Sequence, residues 1–143
     1  MTKQELLKTH FGYDTFREGQ EAVIDALLEG KDVLAVMPTG AGKSICYQVP
    51  ALMLSGITIV ISPLISLMQD QVKALNEAGI HAAFINSSLS ESQISKALYL
   101  AAGGRYKIIY VAPERLENYE FLEFARQVEI SMVTVDEAHC ISQ

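Results

Sequence analysis

The chain has 143 residues, half hydrophobic and a fifth charged, which fits one globular domain and excludes a disordered chain. Eleven basic against 17 acidic side chains leave a net charge of −6; this excludes a broad basic face for nucleic acid, so any such contact must come from a few local groups. No apolar run approaches the roughly 20 residues that span a bilayer, and the opening MTKQELLKTHFGYD has no apolar stretch like a signal peptide's; a cytoplasmic protein with no membrane partner is expected.

In chain order, residues 2–10 and 17–28 read as two helices joined by a turn at Gly12. Residues 32–37 (DVLAVM), between Gly30 and Pro38, read as a buried strand, followed by a helix over 43–54. A second strand is 57–61 (ITIVI), between Gly56 and Pro63, with a helix over 64–78. A weaker strand, 82–85 (AAFI), leads to a helix over 90–101, for which Ser90 is a good N-cap. Strand 107–111 (KIIYV) ends at Pro113, a helix covers 119–127, and strand 130–135 (ISMVTV) ends at an acidic pair. Continuous β-branched runs with helical stretches between them predict an α/β fold of βαβ units, a parallel sheet covered on both faces. There is no internal repeat and no sign of a linker. Cys46 and Cys140, far apart and without CxxC spacing, read as buried small hydrophobes in a reducing compartment. His10 and His81 carry no partner pattern.

The first chemical signal is Met37-Pro38-Thr39-Gly40-Ala41-Gly42-Lys43-Ser44. It follows an expected strand and opens an expected helix, the context a phosphate-binding P-loop requires. Gly40 and Gly42 let the backbone curl so that consecutive N–H groups point at phosphate oxygens. The helix beginning near Lys43 adds its positive dipole end. The Lys43 ammonium would reach the β- and γ-phosphates of ATP, and the Ser44 hydroxyl would ligate Mg²⁺. The general pattern GxxxxGK[ST] has glycine where Met37 stands; a PTGxGK[ST] loop of this kind resembles superfamily 2 helicases.

The second signal is Asp136-Glu137-Ala138-His139, directly after the strand ISMVTV. An aspartate at the end of a buried strand can hold Mg²⁺ opposite Ser44, and the adjacent glutamate can orient and deprotonate an attacking water. Alone, DEAH is a weak match. Placed 93 residues after Lys43, at the end of a later parallel strand, it points with the P-loop to ATP hydrolysis. His139 is also compatible with a plain turn histidine.

Further motifs narrow the class. Phe11-Gly12-Tyr13-Asp14-Thr15-Phe16-Arg17-Glu18-Gly19-Gln20 resembles the FGxxxFRxxQ element of RecQ-family DNA helicases, which implies that Tyr13 and Arg17 flank the adenine and Gln20 hydrogen-bonds it. The chemistry suits this: an amide offers both donor and acceptor to a base edge, and a ring and a planar cation offer stacking faces. Phe11 and Phe16 read as core aromatics. Residues 44–51 (SICYQVPA) look like the RecQ stretch SxCYQxPA, and 62–71 (SPLISLMQDQ) like motif Ia, which touches the DNA backbone in related motors. Residues 112–116 (APERL) resemble motif Ib, Asn86-Ser87 sits where RecQ proteins carry a similar short loop, and 136–143 (DEAHCISQ) match their motif II. In an unrelated P-loop kinase these stretches would be coincidences.

The resemblance covers nearly the whole chain. It implies a RecA-like P-loop NTPase fold, with residues 1–143 as the N-terminal part of a helicase ATP-binding domain, and a 3′ to 5′ DNA helicase in recombination and repair. The implied catalytic set is Lys43, Asp136, Glu137 and His139. The nucleotide-binding set is Tyr13, Arg17, Gln20, Pro38, Thr39, Gly40, Ala41, Gly42, Lys43 and Ser44. Ser44 and Asp136 are the implied Mg²⁺ ligands, and Ser62, Ser66, Asn86 and Arg115 the implied DNA contacts. Arg115 reads equally well as a surface ion-pair residue. The strand that follows motif II in such motors lies between the P-loop strand and the motif II strand. The 143 residues by themselves are therefore expected to expose strand edges and to be marginally stable. A nucleotide-binding module without turnover is the alternative reading for the isolated chain.

Overall fold

A computed structural model describes residues 2–30 and 41–135, the side chains of Ala41 and Gly42 excepted. The expected strand 32–37 lies outside the described residues. The chain divides into two compact units, Met1–Ser55 and Gly56–Gln143.

The first unit is helical. Helix α1 (Lys3–Leu6) is capped by Thr2, whose side chain accepts the Glu5 N–H, and continues as a π-helical turn, Leu7–Phe11. Gly12 closes that turn at φ +78°, a left-handed conformation that favours glycine. Helix α2 (Gln20–Leu28) begins three residues later than the sequence suggests. The reason is Gly19, whose φ of +87° cannot belong to a right-handed helix. Lys3 ties α1 to α2 through ion pairs with Glu21, at 2.8 Å, and with Asp25. Helix α3 (Ala41–Met53) tolerates Pro50 inside it, and the Leu54 N–H reaches the Pro50 carbonyl at 3.0 Å. Leu7, Ile24, Ile45 and Val49 form the core of this unit, with Phe11, Phe16 and Leu28 packed against it. The two phenylalanines are core aromatics, as expected.

The second unit is a four-stranded parallel sheet in the order β2-β3-β1-β4, built from β1 (Ile57–Ile61), β2 (Ala82–Ile85), β3 (Ile108–Val111) and β4 (Ile130–Val135). The α/β parallel sheet expected from the β-branched runs is thus present. Helices α4 (Ile65–Glu77), α5 (Glu91–Ala102) and α6 (Tyr119–Gln127) connect the strands, with a 3₁₀ turn at Pro113–Glu117. Ser90 starts α5 through a full capping box with Gln93. Because side chains alternate across a strand, Ile57, Ile59, Ile109 and Val111 face Ile94 and Leu98 of α5 and Phe121 and Phe124 of α6. Each such fully buried side chain stabilises the unit by about 1.5–3 kcal/mol. On the other face, the Tyr110 hydroxyl donates to Gln71 of α4 at 3.4 Å. Both faces are covered, as parallel sheets require. Among the described residues β4 pairs only with β1, and Val133 and Val135 on it are exposed. No helix among the described residues is long and apolar enough to cross a membrane.

Chain approach is tightest where β1 begins. The Gly56 N–H donates to Ser131 Oγ at 2.7 Å, and a Cβ there would stand 2.5 Å from the Glu129 carbonyl oxygen. At Gly103 a Cβ would meet its nearest neighbour at 3.5 Å, an ordinary contact. Gly56→Ala is therefore expected to destabilise the chain by about 1–3 kcal/mol, while Gly103→Ala stays within about 0.5 kcal/mol of the parent. Urea denaturation of both variants checks this; equal midpoints would show that the β1–β4 approach is not tight.

Candidate functional site

Helix α3 opens at Ala41, two residues before the sequence suggests. The N–H groups of a first helical turn lack intrahelical partners and carry the positive end of the dipole, which makes that turn an anion site. Lys43 and Ser44 lie in it, Lys43 half-buried and Ser44 buried. Pro38, Thr39 and Gly40 lie outside the described residues, and Ala41 and Gly42 are described by backbone alone. Strand β4 ends at Val135, which pairs with Ile61. Asp136, Glu137 and His139, and Cys140 beside them, lie outside the described residues.

A depression in the first unit is lined by Leu7, Tyr13, Thr15, Arg17, Gln20 and Ile45. The sequence singled out Tyr13, Arg17 and Gln20, and the fold brings all three together. Gln20 is 2% exposed, and its Oε1 accepts the Arg17 N–H at 2.7 Å. This bond fixes the plane of the amide and identifies its oxygen. Tyr13, in contrast, is 42% exposed, a ring at the rim. As a cavity it holds only about 20 Å³, far below the roughly 300–1,000 Å³ of clefts for whole ligands, so it is a shallow depression rather than an enclosed pocket. Ile45 sits four residues into α3, so the depression lies about 6 Å along the helix axis from its first residue. Sequence reasoning missed Leu7, Thr15 and Ile45. Leu7 and Ile45 belong to the apolar core as well as to the lining, and no motif separates those two duties. The π-helical turn that begins at Leu7 left no signal in the sequence.

In the second unit, parallel pairing brings the residues after β1, β2 and β3 to one edge. Ser62, Asn86 and Ala112 follow the three strands in turn. Ser66 is exposed on the first turn of α4. Two of the expected contact residues are buried. Ser62 is 1% exposed, and its hydroxyl accepts the Leu64 N–H at 3.4 Å. Asn86 is 0% exposed, and its side chain is engaged with Ser88 and Met68. Neither side chain offers a surface, because each satisfies its own turn instead. The exposed groups of that second loop are Ser87 and Ser88. Arg115 pairs with Glu91 across 3.9 Å, with its own side chain mostly covered.

The sequence profile of the DEAD/DEAH box helicases matches residues 17–143. The chain is 54% identical over 141 residues to the ATP-dependent DNA helicase RecQ of Bacillus subtilis, covering 98% of this chain and 24% of that protein. It is 49% identical over 142 residues to the RecQ helicase of Haemophilus influenzae, covering 99% of this chain and 23% of that one. The chain thus spans about a quarter of the length of these relatives. Among solved structures, a hypothetical ATP-dependent RNA helicase from Sulfolobus tokodaii superposes with a TM-score of 0.77 at 23% identity, over 98% of this chain and 42% of that one. That likeness is one of fold.

Cys46, one turn into α3, is buried, and burial pushes its thiol above the ordinary value of 9.0. The folded state therefore favours the protonated thiol. Its contribution to stability is intact below the ordinary thiol value and is lost as pH climbs through the raised one. At pH 8, alkylation mapped to the Cys46 peptide is expected to be at least about tenfold slower in the folded chain than in urea. Equal rates would show that α3 is open on this side.

Proposed function

The chain belongs to the DEAD/DEAH box helicase family, and we propose from that premise that it supplies the ATP-binding part of an ATP-dependent DNA helicase of the RecQ type. The whole protein would move 3′ to 5′ along one DNA strand in the cytoplasm, associated with the nucleoid in a bacterium. The observation that carries this reading is the depression gathering Tyr13, Arg17 and Gln20 beside the helix that holds Lys43 and Ser44. A base site and a phosphate site on one helical unit are what a nucleotide needs.

In this reading adenine lies on Tyr13 and against Arg17, and Gln20 hydrogen-bonds its edge. The phosphates reach the first turn of α3, where Lys43 compensates the β- and γ-phosphate charge. The P-loop sequence Pro38-Thr39-Gly40-Ala41-Gly42 would supply the backbone N–H donors for those phosphates, a role that rests on the motif. Hard oxygen donors suit Mg²⁺, and the Ser44 hydroxyl is one. Ser44, Asp136 and the phosphates themselves would hold the ion. When bound, Mg²⁺ neutralises charge on the transferring phosphoryl group. Glu137 takes the proton of the attacking water as its oxygen bonds the γ-phosphorus and the bond to the β–γ bridging oxygen breaks. His139 sits in the same motif and completes the set. On the DNA side, Ser66 and the backbone of the loops after β1 and β2 meet the strand, and Arg115 meets a phosphate once released from Glu91.

Two outcomes test this in the full-length protein. Lys43→Ala is expected to lower turnover by at least about a hundredfold, since it removes the charge facing the β- and γ-phosphates. Steady-state hydrolysis with and without single-stranded DNA measures this, and wild-type turnover would sink the phosphate assignment. Gln20→Ala is expected to erode the preference for ATP over GTP by about tenfold or more, since the wrong base no longer leaves a buried amide unpaired. An unaltered ratio of kcat/KM values for the two nucleotides would remove Gln20 from base recognition.

A further inference from the structure

Asn86 is wholly buried at the end of β2, yet its polar atoms are all directed into one short circuit. Its Oδ1 accepts the Ser88 N–H at 2.8 Å and the Ser88 hydroxyl at 2.5 Å. Its Nδ2 donates to the sulfur of Met68 on α4 at 3.4 Å. The circuit closes through Gln69, the next residue of α4, whose Nε2 donates to Ser88 Oγ at 3.3 Å. The Asn86 carbonyl also accepts the Leu89 N–H at 3.2 Å, which completes the turn. The Ser88 hydroxyl receives from Gln69 and gives to Asn86, whose amide in turn gives to Met68, so these bonds polarise one another in the same sense. The opposite end of α4 is fastened too: the Asn76 amide exchanges two bonds with Ala82 at the start of β2, at 3.1 and 3.2 Å.

We propose that Asn86 is a positioning residue that locks the loop 86–89 onto α4, so that the loops after β1 and β2 meet a nucleic-acid backbone as one rigid surface. The inference rests on the helicase reading above. Without the lock, two short loops would each be ordered separately on binding, and each would pay its own conformational entropy. With it, Ser66 on α4 and the exposed Ser87 of the loop keep a fixed spacing against consecutive phosphates. The circuit contains no charge, so it acts on geometry and leaves the electrostatic part of binding alone.

The test uses the full-length protein and ATP hydrolysis titrated with a single-stranded oligonucleotide. Gln69→Ala and Ser88→Ala both act at exposed positions; the first breaks the outer bond of the circuit, and the second breaks that bond together with the hydroxyl bond to Asn86. Each is expected to raise the half-saturating oligonucleotide concentration about threefold or more, and the double variant no more than Ser88→Ala alone, because Ser88→Ala already removes the bond that Gln69→Ala removes. Turnover at saturating oligonucleotide stays within about twofold, and the salt slope is unaltered, because no cation is lost. Asn86→Ala raises half-saturation further, with a melting transition recorded alongside to establish that it folds. Hydrogen exchange at Ser88 and Leu89 reports the lock without DNA and accelerates in all of these variants. A ninefold or so effect in the double variant would mean two independent contacts and overturn the lock, as would unaltered exchange in the single variants. A protein whose hydrolysis ignores the oligonucleotide, but whose variants still exchange faster, would overturn the helicase reading and the role of the lock in it while leaving the lock itself in evidence.

Discussion

The parallel hydrogen-bond ladder around β1 sets where the loops of the second unit emerge. It runs one residue beyond the strands: the Ser62 N–H donates to the Val111 carbonyl at 3.1 Å, and the Ala112 N–H to the Ile85 carbonyl at 3.0 Å. All strands point the same way, so every loop that follows a strand leaves from one edge. The side chains there inherit their positions from the core: Ile59, Ile109 and Val111 set the register, and the register sets where Ser62, Asn86 and Ala112 emerge. A one-residue slip would exchange the two faces of a strand and scatter the edge.

The first unit reaches its site by other means. Its core of Leu7, Ile24, Ile45 and Val49 is small, and two of those four residues also line the depression. The core and the lining of the depression therefore share side chains. The α1–α2 ion pairs of Lys3 lie on the surface, where their partners raise the lysine's pKa; exposed pairs of this kind contribute little to stability. What holds Tyr13 and Arg17 in place is the turn between Gly12 and Gly19, closed by the Gln20 side chain on the Arg17 N–H.

Legibility followed how local each cause was. The strands 57–61, 82–85 and 130–135 fall where the sequence suggests, and for 57–61, buried almost throughout, the cause is plain: burial on both faces demands a continuous β-branched run. The strand expected from Lys107 begins at Ile108, a difference that the Lys107 N–H bond to the His81 carbonyl bridges. The start of α5 was readable from Ser90, a local cap, whereas the late start of α2 depended on a positive φ at Gly19 that a helical pattern does not reveal. Tyr13, Arg17 and Gln20 stood out because residues 11–20 resemble a RecQ element, and Ser62 and Asn86 because their stretches resemble motif Ia and a short RecQ loop. A motif names the residue but not whether its amide or hydroxyl serves its own turn. The P-loop residues Pro38, Thr39 and Gly40 and the acidic motif from Asp136 onward rest on the sequence, since they lie outside the described residues.

On the proposed helicase reading an acidic chain must meet a polyanion, and the carboxyl edge of the sheet bears on how. Among the described residues the loops there carry Ser66, Ser87 and Ser88 exposed, and Arg115, their one cationic side chain among those residues, is paired with Glu91. Contacts of this kind fix register along a strand but release few counterions, so they add little salt-dependent affinity.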